Sequence, residues 1–199
     1  MNGKIIKDAL ILFLITVIAG LGLGAVYGIT KVPIEKANYN IQQNAYRTVF
    51  PDAASFEDMD GFDSAKATEA AAAAGYADDT IENCVVAVDA SGAELGYVIS
   101  VTDPNSYGGD VTLSIGVTDD GTLNGYSITT INDTAGLGMK AKEDSFSSQF
   151  AGKQVESFEV TKTATSDNQI DAISGATITS SAVTSAVNAG LAYYRTLAQ

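Results

Sequence analysis

The run VTLSIGVT (Val111 to Thr118), the turn Asp119-Asp120-Gly121 and the run TLNGYSITT (Thr122 to Thr130) read as strand, turn and strand. An Asp-Gly turn between two such runs is a hairpin signal. A similar unit precedes it, with Cys84–Val88 and Leu95–Val101 around the turn Asp89-Ala90-Ser91-Gly92. Val155–Thr161 reads as a further strand. The chain then closes with a helical pattern from Thr177 to Leu197, whose apolar face is Ile178, Ala182, Val183, Ala186, Val187, Leu191 and Tyr194. Runs of strands followed by a terminal helix predict an α+β domain, with a mostly antiparallel sheet packed on helices.

Upstream, the pattern changes. Ala9–Ile29 is an uncharged run of about 21 residues, long enough to span a bilayer as one helix. It exceeds the apolar core of a typical signal peptide, and neither a small-x-small cleavage site nor a lipoprotein cysteine follows, so a retained anchor is expected. Gly20, Gly24 and Gly28 recur on one helical face, which suits close approach of another helix. Pro33 is expected to break the run. Ile34–Phe50 then reads as a juxtamembrane helix with Ile34, Ala37, Ile41, Ala45 and Val49 on one face, ended by Pro51. Ser55–Gly61 reads as an acidic turn, and Ala65–Ala74 as a helix ending at Gly75. The expected division is a tail (1–8), a transmembrane helix (9–30), a juxtamembrane helix (31–50) and one domain (51–199). Lys4 and Lys7 precede the apolar run and Lys31 and Lys36 follow it, so charge gives only a slight preference for a cytoplasmic N-terminus.

The 199-residue chain carries 11 Lys and Arg against 24 Asp and Glu, a formal net charge of −13. Asp8, Glu35 and five of the bases lie before residue 50, leaving 22 acids and 6 bases, a net of −16, beyond it. Such a domain repels phosphate backbones, so no nucleic-acid partner is expected. There is no His and a single Cys, Cys84. That excludes an internal disulfide, a CxxC redox pair, the usual zinc and haem ligand sets, and a Ser-His-Asp triad. Cys84 sits in the apolar run Cys84-Val85-Val86-Ala87-Val88 and reads as a buried small hydrophobe. Any electron handling must use an added cofactor, and no metal site is expected.

Three glycine-bearing loops interrupt the strands: Ser106-Tyr107-Gly108-Gly109, Asp133-Thr134-Ala135-Gly136-Leu137-Gly138 and Ser174-Gly175-Ala176-Thr177. The last enters the terminal helix, where free N–H groups and the helix dipole favour an anion. Two readings fit its small residues: a phosphate cradle, or an ordinary Ser/Thr helix cap. The middle loop also has two readings. It is either a turn with two positive-φ glycines, or a flat backbone lying against a planar ligand with Leu137 over its face.

Asp171-x-x-Ser174-Gly175-Ala176-Thr177 resembles the flavinylation motif of the FMN-binding domain found in Rnf and Na+-translocating NADH:quinone reductase complexes. Three further stretches agree in order. Val49-Phe50-Pro51-Asp52-Ala53 is similar to the segment after that family's membrane helix. Tyr107-Gly108-Gly109 leads into Ile115-Gly116-Val117 and Asp120-Gly121. Asp133-Thr134-Ala135-Gly136-Leu137-Gly138 resembles the family's Glu-Thr-Pro-Gly-Leu-Gly. The chain departs from the pattern at Asp133 and Ala135, and no His precedes the loop. Its short length is more like the G subunit of Rnf than the quinone-reductase counterpart.

The resemblance implies an FMN joined by a phosphoester to Thr177, attached by a flavin transferase that works outside the membrane. It implies that Ser174, Gly175 and Ala176 hold the phosphate and that Asp171 is a recognition element for the transferase. Thr134, Gly136, Leu137 and Gly138 would border the isoalloxazine, with Tyr107 and Gly108 as neighbours. The expected partners are integral membrane subunits of an Rnf complex, one with a second covalent FMN and others binding iron–sulfur centres. The complex would pass electrons between ferredoxin and NAD and couple this to Na+ or H+ movement. This chain would act as a relay without independent turnover or catalytic residues of its own. Its membrane helix would be single-pass, with the FMN domain extracytoplasmic. The alternatives are the equivalent flavin subunit of a quinone reductase and a cofactor-free membrane-anchored assembly module.

Overall fold

The computed structural model describes residues 2–198. Contacts divide the chain into two units, one running to Ile41 and the other from Gln42.

The described backbone of the first unit is helical, as part of α1 (Asn2–Val49). Its large apolar side chains are exposed, Leu10, Phe13, Leu21 and Leu23 among them. Thr16 and Thr30 donate their hydroxyls to the carbonyls of Phe13 and Val26, at 2.8 and 2.9 Å. That satisfies them within the helix, as an apolar surrounding requires. α1 is the one helix among the described residues long and apolar enough to cross a membrane, with a mean hydropathy of 2.6 in its richest window. Pro33 lies inside α1 and does not end it. A proline removes one helical hydrogen bond, and favourable turns on both sides outweigh that loss.

The second unit is built on a five-stranded antiparallel sheet in simple meander order: β1 (Ser55–Asp58), β2 (Thr80–Val88), β3 (Glu94–Ser106), β4 (Gly109–Thr118) and β5 (Leu123–Thr130). Both hairpins form at the expected turns. Alternation sends Val111, Leu113, Ile115 and Val117 of β4 to one face, where all are fully buried. Cys84, Ile99, Ile115 and Tyr126 line up across four strands on that face. α2 (Ser64–Ala73) and α4 (Thr177–Leu197) cover it. Gly190 of α4 lies so close to β4 that a Cβ there would stand 2.5 Å from Ile115. α4 is fastened along its length. Asn188 exchanges two hydrogen bonds with the Phe158 backbone, at 2.7 and 2.9 Å. The Tyr194 hydroxyl donates to the carbonyls of Thr118 and Asp119 at 3.0 Å.

The opposite face carries Val85, Ala87 and Val98, covered by Tyr46, Val49 and Phe50. Of the expected juxtamembrane face, Ala45 and Val49 are buried while Ile34 and Ile41 are exposed. Gly116 admits this packing, since a Cβ there would meet Val49 at 2.8 Å.

Within the second unit, several elements also differ from expectation. Ser55–Asp58 is an edge strand rather than a turn, held by pairing to Val85–Val88. β3 continues past Val101 through Pro104 to Ser106, and its pairing with β4 is interrupted between Asp103 and Ser106, where the proline has no N–H to give. Of Val155–Thr161 only β6 (Glu159–Thr161) is strand, paired in parallel with β7 (Gln169–Asp171). A 3-10 turn (Gly138–Lys142) and the short α3 (Asp144–Ser147) fill the space after β5.

Candidate cofactor site

The three glycine-bearing loops meet at one end of the second unit. Tyr107 and Gly108 form the tip of the β3–β4 hairpin, between the paired Ser106 and Gly109. Thr134–Gly138 follows β5, and Gly175–Thr179 is the entry to α4. Together they line a cavity of about 560 Å3, with Tyr107, Asp133, Thr134, Leu137, Gly138, Gly175, Ala176, Thr177, Ile178 and Thr179 in its wall. That volume lies within the usual range for a small-molecule or cofactor pocket. Tyr107 is 70% exposed, Leu137 42% and Ile178 55%, and among the described residues beyond Ile41 these are the large hydrophobic side chains left open to solvent. All three stand on the rim of this cavity.

Of the expected site residues, Tyr107, Thr134, Leu137, Gly138, Gly175, Ala176 and Thr177 share this wall. Gly108, Gly136, Ser174 and Asp171 lie outside it. Asp171 belongs to β7, where its carboxylate accepts from the Ala164 N–H and its own N–H donates to Gln149 at 2.7 Å. Gly136 has a φ of +77°, but Gly138 does not share the left-handed conformation, so one glycine of the expected two is explained by φ. Gly138 serves close approach instead. A Cβ there would stand 2.5 Å from the Thr179 hydroxyl and 2.6 Å from the Asp133 Cβ.

Thr177 is the first residue of α4, and Ala176 is the cap, with no side-chain hydrogen bond. The helix-cap reading of this threonine therefore fails, and its side chain is exposed and without a partner among the described residues. The N–H groups of Thr177, Ile178 and Thr179 have no acceptor among the described residues; the first bond of the helix is Ser180 N–H to Ala176 at 3.0 Å. Ser180 shapes the turn before the helix. Its buried hydroxyl accepts from Ile173 N–H at 2.9 Å and donates to the Ala176 carbonyl at 3.0 Å. The result is a small-residue turn with free donors at a positive helix end, which suits an anion. Among the described residues no Lys or Arg lines the cavity, so the donors there are N–H groups and the hydroxyls of Tyr107, Thr134 and Thr177.

In sequence Asp133 is only a departure from a motif, yet in the fold it joins all three loops. Its Oδ1 accepts from Gly108 N–H at 2.6 Å, and its Oδ2 accepts from the Ser106 hydroxyl at 2.9 Å and from the Thr179 hydroxyl. Ile178, assigned by period to the buried helix face, is open instead and lines the cavity.

A second cavity of about 380 Å3 adjoins the first, sharing Thr177 and Ile178 and lined also by Asp103, Asn105, Ser181 and Ser185. Beneath it Asp79 is buried, with Oδ2 accepting from the Ser185 hydroxyl at 2.7 Å and Oδ1 without a partner among the described residues. Burial, with Asp103 alongside, pushes its carboxyl up to about 7. Burial raises Asp103 as well. Cys84 is buried, and burial pushes its thiol up to about 12, which makes it inert as expected. Among the described residues no cluster of ligating side chains could hold a metal ion.

The model of a family described as the FMN-binding domain matches residues 106–192, which include all three loops. The G subunit of the Na+-translocating ferredoxin:NAD+ oxidoreductase complex of Acetobacterium woodii is 35% identical, over 98% of this chain and 94% of that one. The G subunit of the proton-translocating counterpart of Clostridium ljungdahlii is 32% identical, over 85% and 80%. The chain belongs to the G-subunit family of Rnf-type ion-translocating oxidoreductase complexes. Among solved structures, the C subunit of the Na+-translocating NADH-quinone reductase of Parabacteroides distasonis has the same fold, with a TM-score of 0.52 at 23% identity over 74% of this chain and 78% of that one.

Proposed function

We propose that this chain is the electron-relay subunit of a membrane-bound ferredoxin:NAD oxidoreductase that moves ions, working through FMN bonded to Thr177. The observation that carries this reading is the exposed Thr177 hydroxyl at the start of α4, beside free N–H groups and an otherwise unaccounted apolar rim. FMN, when bound, accepts and releases electrons singly or in pairs. Thr177 Oγ1 is the attachment atom, with the free N–H groups of Thr177, Ile178 and Thr179 facing the phosphate. Gly175 and Ala176 keep side chains away from it. Ser174 continues the same turn, and Asp171 is a recognition element for the flavin transferase. Tyr107, Leu137 and Ile178 give the isoalloxazine apolar cover, with Thr134, Gly136 and Gly138 forming the loop beside it and Gly108 setting the place of Tyr107.

Covalency has a physical reason. With no cation in the cavity wall and a net charge of −16 beyond residue 50, a free anionic mononucleotide would be held weakly. A tether makes binding intramolecular, at an effective concentration on the order of mM. We place the apolar part of α1 (residues 9–30) in the membrane with its N-terminus in the cytoplasm, and the domain from residue 51 outside, where the transferase meets it. The partners are integral membrane subunits, one with a second FMN and others with iron–sulfur centres, and the chain turns over no substrate of its own. Fold likeness extends to the C subunit of a quinone reductase, while sequence likeness over almost the whole chain favours the ferredoxin:NAD complex. The set of proteins that copurifies separates the two.

Mass spectrometry of the Thr177 peptide from native membranes tests the reading. The expected mass increase is that of one FMN less water, lost entirely in Thr177→Ala. An unmodified Thr177 in native membranes rules the proposal out and leaves a cofactor-free assembly module.

A further inference from the structure

Asp133 is 8% exposed and stands in the wall of the larger cavity. It receives hydrogen bonds from two side chains and one backbone N–H: Ser106 and Gly108 of the β3–β4 loop and Thr179 of the first turn of α4, so the third segment of the wall is bound to the other two. Three donors converging on two oxygens is the arrangement an ionised carboxylate takes. Glycines flank it on two sides. A Cβ on Gly108 would come within 2.6 Å of the Asn132 carbonyl carbon and 2.8 Å of Asp133 Oδ1, and one on Gly138 within 2.6 Å of the Asp133 Cβ. Glycines in two separate loops therefore allow close approach to Asp133 and to the backbone just before it. No Lys or Arg lines the cavity to offset the charge.

A tie between loops would be satisfied by a neutral acceptor. A carboxylate adds a fixed negative charge at the cavity wall, partly shielded by the donors that point at it. At a residue as buried as Asp133, such a charge acts strongly on any nearby group that gains or loses an electron. Resting on the proposed function, we propose that Asp133 is a positioning residue that also sets the reduction potential of the flavin: it joins the three cavity loops and holds the potential down.

Two variants then have opposite signs. Asp133→Asn keeps shape and removes the charge, so the flavin midpoint potential rises. Ser106→Ala keeps the charge and removes one shielding hydroxyl, so the potential falls. A carboxylate that only held the loops in place would loosen the cavity in both variants and shift both the same way.

The experiment uses full-length chain purified in detergent from native membranes. It combines the mass of the Thr177 peptide with a spectroelectrochemical titration at fixed pH. The expected result is FMN on Thr177 in every form, a raised midpoint in Asp133→Asn and a lowered one in Ser106→Ala. FMN on Thr177 with shifts of the same sign, or with no shift, overturns the assignment alone. If Asp133→Asn does not fold, a Ser106→Ala midpoint equal to or above that of the wild type overturns it. An unmodified wild-type Thr177 overturns the proposed function and this assignment together.

Discussion

Asp133 and Asp79 are both buried carboxylates in the same domain, but their surroundings differ. Asp133 accepts from Ser106, Gly108 and Thr179. Asp79 accepts from Ser185 alone, leaves Oδ1 without a partner among the described residues, and has the Asp103 carboxyl beside it. The first is a junction between loops. The second is pushed toward its neutral form, because burial and a like charge both disfavour ionisation. Burial does not determine what an acid does in a protein; the donors that burial supplies do.

The comparison can be broken most severely at Asp133. Asp133→Ala leaves its donors facing an apolar gap and is expected to cost about 4 kcal/mol of stability, read by chemical denaturation of the detergent-solubilised chain. Less severe is Gly138→Ala, whose new methyl must displace Asp133 or Thr179. It is expected to cost about 2 kcal/mol in the same assay, with flavin retained on Thr177 at reduced yield.

At Asp79 the expected effect is smaller and depends on pH. Its folded-state pKa is raised, so between the ordinary carboxylate range and about 7 the folded chain keeps a proton that the unfolded chain has lost. That stabilisation is complete below the unfolded pKa and is lost as pH rises through about 7. Asp79→Asn should flatten the decline and gain roughly 1 kcal/mol at alkaline pH, measured as denaturation midpoints across a pH series. The smallest stability effect is expected at Tyr107, which is 70% exposed. Tyr107→Ser should leave stability within about 0.5 kcal/mol while changing the absorption envelope of the bound flavin.

Much of the frame could be read from sequence. Alternation and Asp-Gly turns mark the hairpins, helical period marks α4, and the glycine loops that line the cavity stand out by composition. What could not be read depends on partners distant in the chain. Asp133 bonds across 27 residues to Ser106 and 46 to Thr179, and in sequence it is only an acid ahead of a glycine turn. Ser55–Asp58 becomes a strand only because β2 offers an edge, since its acidic composition carries no strand signal. Ile178 has the period of a buried residue, yet it stands open in the wall of the cavity, which the helical period does not reveal. Pro33 shows the reverse case, in which a local rule is overridden by sound helix on both sides.

The fastening of α4 bears on electron transfer. The helix is held near its start by Ser180, midway by Asn188 and at its far end by Tyr194. Under the proposed attachment, a carrier joined to its first residue would ride on a helix fastened at three points along its length. The freedom left to it would be rotation about the threonine side chain and the ester linkage. Tunnelling rates fall steeply with separation, so such a mount would let a donor and an acceptor find the carrier at a repeatable reach each time.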